Sequence, residues 1–343
     1  MDRADSLPRF DNTKLVALNT CPTWGLITYD QHLHFKNSGR AMALEAGQAC
    51  HDVFASVRLL ELLDQVGIEA FRHHGYRLFG TDRMEFAWEE HGKTIDRPEG
   101  RMNFCLEMLY TSGFYDDERD KRRTMNNLEY ACIEYMDRWP WGKRPVYVED
   151  ATDPKSFVGI EIPIDVMITF HTHDDKFSIR FVGKVDGLHK ASNEELIVHE
   201  NKTQSRIDDA WRMSLEMSHQ PTGYIAALSA MLRKEIRKCV YWGLAIPQPK
   251  TAGVEGIAEI PINRDDHHFM QWLEWVYHTV MIWSLYKDNP AEAPKYTHSC
   301  NRYFRPCSMI PFCYSQPDER AYIMSEEMEK REWNPLNEDK AGD

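Results

Sequence analysis

The segment Leu196-Ile-Val-His-Glu-Asn-Lys-Thr203 constrains this chain more than any other. It reads as a buried strand that runs into polar residues at its end. Side chains alternate across a strand, so Leu196, Val198, Glu200 and Lys202 share one face. The first two pack into a core, and the last two project where that core opens. A carboxylate and an ammonium on the apolar side of a strand carry a desolvation cost that only a use for them would offset. A sheet with a charged site at the end of this strand is therefore expected.

Two further segments join it. Asp186, in Gly183-Lys184-Val185-Asp186-Gly187, lies fourteen residues before Glu200, and Gln220-Pro221-Thr222-Gly223-Tyr224 follows. An acid, then acid-x-Lys, then Gln-x-x-x-Tyr is the order a metal-dependent phosphodiesterase site requires. Mg²⁺ is held by one or two carboxylates together with substrate phosphate and water. Asp186 and Glu200 supply those carboxylates, with the Asn201 carbonyl as a backbone ligand. The metal activates a bound water and offsets charge on the scissile phosphate, while Lys202 orients the hydroxide. Gln220 and Tyr224, four apart, share one helix face and hold Lys202 or grip a phosphate. Each signal alone has a blander reading, since Asp-Gly is a common hairpin turn and Glu-x-Lys a common solvated pair. Their order and spacing together favour the site.

The eight cysteines point the same way. Cys300, Cys307 and Cys313 form C-x6-C-x5-C, and Cys21 stands alone near the N-terminus. Four thiolates suit either a [4Fe–4S] cluster or a structural Zn²⁺. Cys50, Cys105, Cys132 and Cys239 sit in apolar-periodic stretches and read as core. The first twenty residues lack an apolar run of the signal-peptide kind, so reduced thiols and metal are expected rather than disulfides.

Taken together, Cys21-Pro22-x-x-Gly25, Gly47-x-x-x-His51, Asp186, Glu200-x-Lys202, Gln220-x-x-x-Tyr224 and the terminal cysteine triplet resemble the RecB-type branch of the PD-(D/E)XK nucleases. More narrowly, they resemble its iron–sulfur members, such as the AddB nuclease domain, CRISPR-adaptation exonucleases and phage exonucleases. The resemblance implies a restriction-endonuclease-like α/β core, a mixed central sheet flanked by helices. It adds His51 as a metal ligand beside Asp186, Glu200 and Asn201, and Mg²⁺ or Mn²⁺ as the cofactor. It makes Asp186, Glu200, Lys202, Gln220 and Tyr224 the catalytic set, and Cys21, Cys300, Cys307 and Cys313 the ligands of a [4Fe–4S] cluster. It implies DNA as partner, single-stranded or with free ends, and a helicase, single-strand-binding or recombination protein as companion. The setting it implies is the cytoplasm of a bacterial or phage-infected cell. Two alternatives stay open: a non-catalytic DNA-end- or protein-binding module of the same fold, and a zinc-stapled RNA-processing nuclease.

The organisation follows from the pattern. Residues 1–66 read as an N-terminal segment with a short helix over 13–30 carrying Cys21 and a His51 helix over 40–66. Residues 67–143 read as a helical insertion, 144–290 as the nuclease core, 291–320 as the cluster lobe and 321–343 as an acidic tail whose last dozen residues are disordered. Strands are expected at 145–149, 158–162, 166–170, 177–183 and 196–203 as a meander, then a helix over 208–237, strands at 239–246 and 257–262, and a helix over 265–286. Glu161 and Asp165 lie in this sheet as candidate further acids but read rather as edge-facing strand residues, and the pairs His73-His74 and His267-His268 read as surface. A net charge of −13 confines any nucleic-acid path to local patches. Arg119-Asp-Lys-Arg-Arg123 and a helix stripe of Arg233, Lys234, Arg237 and Lys238 are the candidates. Gly92-Lys93-Thr94 lacks the glycine and the leading strand of a phosphate loop, so no ATPase is expected. No apolar run reaches a membrane-spanning length.

Overall fold

The computed structural model describes residues 7–36, 41–171, 176–250, 254–302 and 305–331. The N-terminal elements are β1 (Arg9–Phe10), α1 (Asn12–Thr20), α2 (Pro22–Gly25), a π-helical turn (Leu26–Asp30) and β2 (Leu33–Phe35). Five helices follow: α3 (Met42–Val66), α4 (Ile68–Phe79), α5 (Thr81–His91), α6 (Pro98–Tyr110) and α7 (Met125–Arg138). Then come β3 (Ile160–His171), β4 (Lys176–Lys190), β5 (Leu196–Gln204), α8 (Asp209–Glu216), α9 (Gln220–Leu232), β6 (Lys238–Ala245), β7 (Ile257–Asn263) and α10 (Asp266–Tyr286). The C-terminal part carries β8 (Asn301–Arg302), β9 (Arg305–Pro306), α11 (Ile310–Tyr314), α12 (Pro317–Tyr322) and β10 (Met328–Lys330).

The hydrogen-bonded strand order is β1-β4-β5-β6-β7, with β3 also paired to β4. β5 pairs antiparallel with β4 and parallel with β6, and β6 pairs antiparallel with β7. This mixed sheet with flanking helices is the α/β architecture expected. The chain divides into two compact units, the first made of Met1–Arg40, Ile164–Gly183 and Asp266–Glu338, the second of Ala41–Pro163, Lys184–Asp265 and Asp339–Asp343.

In the second unit, α3 is the organising helix. Ala46, Ala49, Cys50, Val53, Phe54, Val57, Leu60 and Leu62 are buried along it, in one core with α4 to α7 and with Val240, Trp242 and Leu244 of β6. Cys105, Cys132 and Cys239 are buried as expected. A fully buried Arg58 is kept affordable by donating to the Arg144 and Leu188 carbonyls at 3.1 Å and by lying over the Trp139 ring.

In the first unit, β1 pairs with β4 at Arg180 and Phe181. Phe10 meets Trp283 of α10 edge-on, and Phe181 meets Trp272. Lys14 reaches Asp30 at 2.5 Å, and the Trp283 indole donates to the same carboxylate at 2.8 Å. β2 pairs antiparallel with β10.

Several elements depart from the sequence reading. The helix expected over 13–30 breaks at Cys21, which is extended, because Pro22 opens a new helix instead of continuing α1. The meander merges into two long strands. Asp186-Gly187 runs straight within β4, where a Cβ on Gly187 would stand 3.3 Å from the Cβ of His199 on the neighbouring strand. Residues 145–149 make only isolated bridges, from Val146 to His189 and from Val148 to Val158. The helix over 208–237 splits at Pro221, and α9 ends on Arg233 in the left-handed region. The expected basic stripe therefore does not form. Lys234 donates to the Tyr147 hydroxyl, Arg237 pairs with Glu235, and Lys238 opens β6 beside Glu195. In the other basic patch Arg119 and Arg123 are paired with Asp117 and Asp120. His74 is buried, not surface. Part of the segment read as acidic tail carries β10, and its last dozen residues lie outside the described ones. Among the described residues, no helix is long and apolar enough to cross a membrane.

The buried histidines of the second unit make it sensitive to acid. Burial, with Arg77 nearby, lowers His74 to about 4, and burial, with Arg58 and Arg144, lowers His189 to about 3. Burial also holds His199 well below the ordinary value. Each folded pKa lies below that of the unfolded chain, so the unfolded chain takes up protons that the folded one refuses. Stability from these groups is complete above about pH 6.5 and drains as pH falls towards the folded values. Three such groups give a loss approaching roughly 4 kcal/mol per pH unit below about pH 6. Denaturant titrations from pH 7 to 5 check this, with His189→Gln and His199→Gln each flattening the slope. Because the raised pKa values of His51, Glu161 and Glu200 act with the opposite sign, the test is the difference from wild type, and a slope unchanged in both variants would refute the assignment.

Candidate metal centre

Gly47 and His51 are one helical turn apart on α3, and the spacing has a packing cause. A Cβ on Gly47 would stand 3.2 Å from the Thr203 hydroxyl of β5, so glycine lets the helix lie close to the strand end. One turn on, His51 Nδ1 comes to 3.3 Å from Asp186 Oδ1. Asp186 on β4 in turn accepts from the Asn201 backbone N–H at 2.7 Å, and Glu200 accepts from the Asp186 backbone N–H at 3.3 Å. These cross-strand bonds tie Glu200 to the backbone of Asp186, and Asp186 to the backbone of Asn201, the residue after Glu200. Lys202 Nζ stands 3.8 Å from Glu200 Oε2. The Asn201 side chain faces away from this pair, accepting from Tyr135 and meeting His199, both at 3.1 Å.

Glu161, which the sequence reading took for an edge-facing residue in preference to a further acid, also enters this site. It is 8% exposed, its Oε2 lies 2.6 Å from Lys184 Nζ, and its ligand oxygen, the Asp186 oxygen and the His51 nitrogen all lie within 4.8 Å of one another. Its backbone sits at φ 46, in the left-handed region that a residue with a Cβ rarely adopts. Such a conformation costs on the order of 1–3 kcal/mol and persists where the surroundings over-determine it. A β-strand read only by alternation puts Glu161 on an edge. The inward turn comes from that backbone kink, which leaves no mark in composition.

The charges are strongly coupled. Burial opposes ionisation of Asp186, but His51, Lys202 and the Asn201 N–H overcome it and hold the carboxyl well below the ordinary range. Burial likewise opposes charging of His51, and Asp186 outweighs it, raising the imidazole's pKa. Glu200 goes the other way, pushed well above its usual value by burial and by the Asp186 charge. Glu161 is raised by burial, partly offset by Lys184. A set of one imidazole and clustered carboxylates, one reluctant to ionise without a cation, matches the ligand types of Mg²⁺ and Mn²⁺.

Gln220 and Tyr224 lie on one face of α9, and the Gln220 amide donates to the Tyr224 hydroxyl at 3.1 Å. Tyr241 is a second residue the sequence did not reveal. It is the cross-strand partner of Glu200, is fully buried, and its hydroxyl has no hydrogen-bond partner among the described residues. Only the parallel pairing of β5 with β6 puts it there.

In the first unit, all four expected cluster cysteines are free thiols, Cys21 buried and the other three half-buried. Cys313 is pushed up to about 11 by burial, against the pull of Lys295, and it feels Cys21, Cys307 and Cys300. Cys307 is raised by burial and senses Cys21 and Cys300. The N–H of Met309 points at Cys307 Sγ at 3.5 Å, and Cys307 and Cys313 pack against Ile27, Met309, Phe312, Ile323 and Met328. Both thiols sense Cys21 and Cys300, but among the described residues the group of three or more ligand atoms within 4.8 Å of one another is His51, Glu161 and Asp186, so the four sulfurs do not converge that closely. None of the four is held in a disulfide.

No curated protein matches the sequence. Among solved structures, the crystal structure of SSO0001 is similar, with 17% identity and a TM-score of 0.23 over 41% of this chain and 54% of that one. The family model for the PD-(D/E)XK nuclease superfamily matches residues 12–314, most of the chain, which therefore belongs to that superfamily.

Proposed function

We propose that this member of the PD-(D/E)XK nuclease superfamily is a metal-dependent DNA exonuclease of the RecB-type branch, trimming DNA ends in recombination, replication or repair. Nuclease chemistry follows from the family. What supports the finer reading is the meeting of His51 with Asp186, and of both with the Glu200-x-Lys202 strand end. A histidine delivered by the upstream Gly47 helix is the feature that resembles that branch.

His51, Asp186, Glu200 and the Asn201 carbonyl would hold Mg²⁺ or Mn²⁺. Such an ion, when bound, supplies an activated water and neutralises charge on the scissile phosphate. The protein's own part is positional. Asp186 is fixed by the Asn201 N–H and Glu200 by the Asp186 N–H, so their oxygens are in place before substrate arrives. Lys202, beside Glu200, orients the attacking water and offsets charge on the phosphorane-like transition state. The Gln220–Tyr224 pair presents an amide and a phenol to a phosphate or to Lys202. In the first unit, Cys21, Cys300, Cys307 and Cys313 would hold a [4Fe–4S] cluster, which would staple the fold and take no part in hydrolysis.

The test is cleavage of end-labelled single- and double-stranded DNA, with closed circles and RNA in parallel, in Mg²⁺, Mn²⁺ or EDTA. Nucleotides released from DNA ends in either metal, with circles spared and EDTA silent, are expected. Cleavage of circles would replace exo- by endonuclease action, and preference for RNA would replace the substrate. Failure on every substrate with metal present would leave a binding module of the same fold.

A further inference from the structure

We infer that Glu161 is a further ligand of the cation at this site, and that Lys184 is the internal cation holding it until the metal arrives. The inference rests on the metal-dependent reading above and adds a residue that neither the motif order nor the family model assigns.

Three observations carry it. Glu161, His51 and Asp186 offer ligand atoms within 4.8 Å of one another. Glu200, by contrast, spends its oxygens on the Asp186 N–H and on Lys202. Second, the close pairs are uneven: Glu161 stands against Lys184 and Glu200 against Lys202, while the group in contact with Asp186 is the His51 imidazole, with Lys202 acting on it from farther off. Three carboxylates gathered in a buried space repel one another unless a cation joins them. Third, Glu161 reaches this space only through a positive-φ backbone, within an otherwise regular strand. A structural Glu–Lys pair could be made on the strand's outer face with no such kink. The kink aims the carboxylate at His51 and Asp186.

Lys184 and Asp186 are two apart on β4 and so project to the same side. Lys184 thus stands where a metal's charge would otherwise be missing. On metal binding, Glu161 exchanges the ammonium for the ion, and Lys184 becomes available to a substrate phosphate. The ammonium and the metal therefore compete for one carboxylate, which gives opposite signs for the two substitutions.

Mn²⁺ binding to the whole protein, followed by electron paramagnetic resonance and calorimetry without substrate, tests this. E161Q is expected to weaken Mn²⁺ binding by roughly tenfold or more, and K184M to strengthen it by a few-fold. Thermal melts of the metal-free proteins check folding. If either single variant fails to fold, E161Q/K184M removes the pair as a neutral unit and is expected to bind more weakly than wild type. E161Q with unchanged Mn²⁺ affinity, while H51A and D186N lose theirs, would return Glu161 to a structural ion pair and leave the proposed function standing. A wild-type protein that binds no Mn²⁺ would overturn both.

Discussion

Asp186→Asn and Glu200→Gln are each expected to cut metal-dependent cleavage by about three orders of magnitude or more. Removal of one charge-stabilising group typically costs 10²–10³, and groups that act as a unit lose nearly everything together. The two acids form such a unit, because Glu200 accepts from the Asp186 backbone and Asp186 from that of Asn201, next to Glu200. The double variant should therefore fall little below the worse single one. Stability separates the two positions. Glu200 is buried and resists ionisation, so Glu200→Gln removes a desolvation cost and should leave the metal-free protein as stable as wild type or more so. Asp186 is ionised in the fold and accepts from Asn201, so its loss should destabilise modestly. An alanine there would also orphan a buried N–H, at about 1–3 kcal/mol. Single-turnover cleavage and thermal melts of the same preparations read both effects. Near-full activity in Asp186→Asn/Glu200→Gln would end the assignment.

The strand end bearing Glu200 and Lys202 was legible because alternation alone places them beside Leu196 and Val198. Gly47 and His51 were legible as a spacing, and the close approach to Thr203 explains why that spacing works. Two things were hidden. Which strand lies beside β5 is set by a crossover through α8 and α9, so Tyr241 could not be placed next to Glu200 from local pattern. Glu161 faces inward through one backbone angle, and period-two reasoning assumes that such angles do not occur. Helix ends were misplaced for a simpler reason. Pro22 and Pro221 sit inside apolar stretches with helical spacing, and periodicity outweighed the break that each proline imposes.

Cys21→Ala, Cys307→Ala and Cys313→Ala are each expected to remove the visible absorption of anaerobically purified protein and to lower its melting temperature sharply. Cys21 and Cys300 are about 280 residues apart. Joining them closes a loop whose denatured-state entropy is on the order of 5 kcal/mol, if a disulfide-type estimate carries over to a metal. Part of that constraint survives without metal. The first unit already ties its ends through β2 on β10 and through the Thr23 hydroxyl, which donates to the Ala293 carbonyl at 2.9 Å. The loss should therefore be less than the full loop term, and stability should fall without complete unfolding. Cys105→Ala and Cys132→Ala are the controls. Both thiols are buried in the helical core of the second unit, so these variants lose a little packing and keep the colour. The raised pKa of Cys313, which burial causes, adds a second signature. Its proton must leave when metal binds, so reconstitution with iron and sulfide should be slower and weaker at low pH than at high pH. Colourless protein carrying stoichiometric zinc would keep the staple and discard the iron. Protein without bound metal, its four thiols freely modified while folded, would remove the staple altogether.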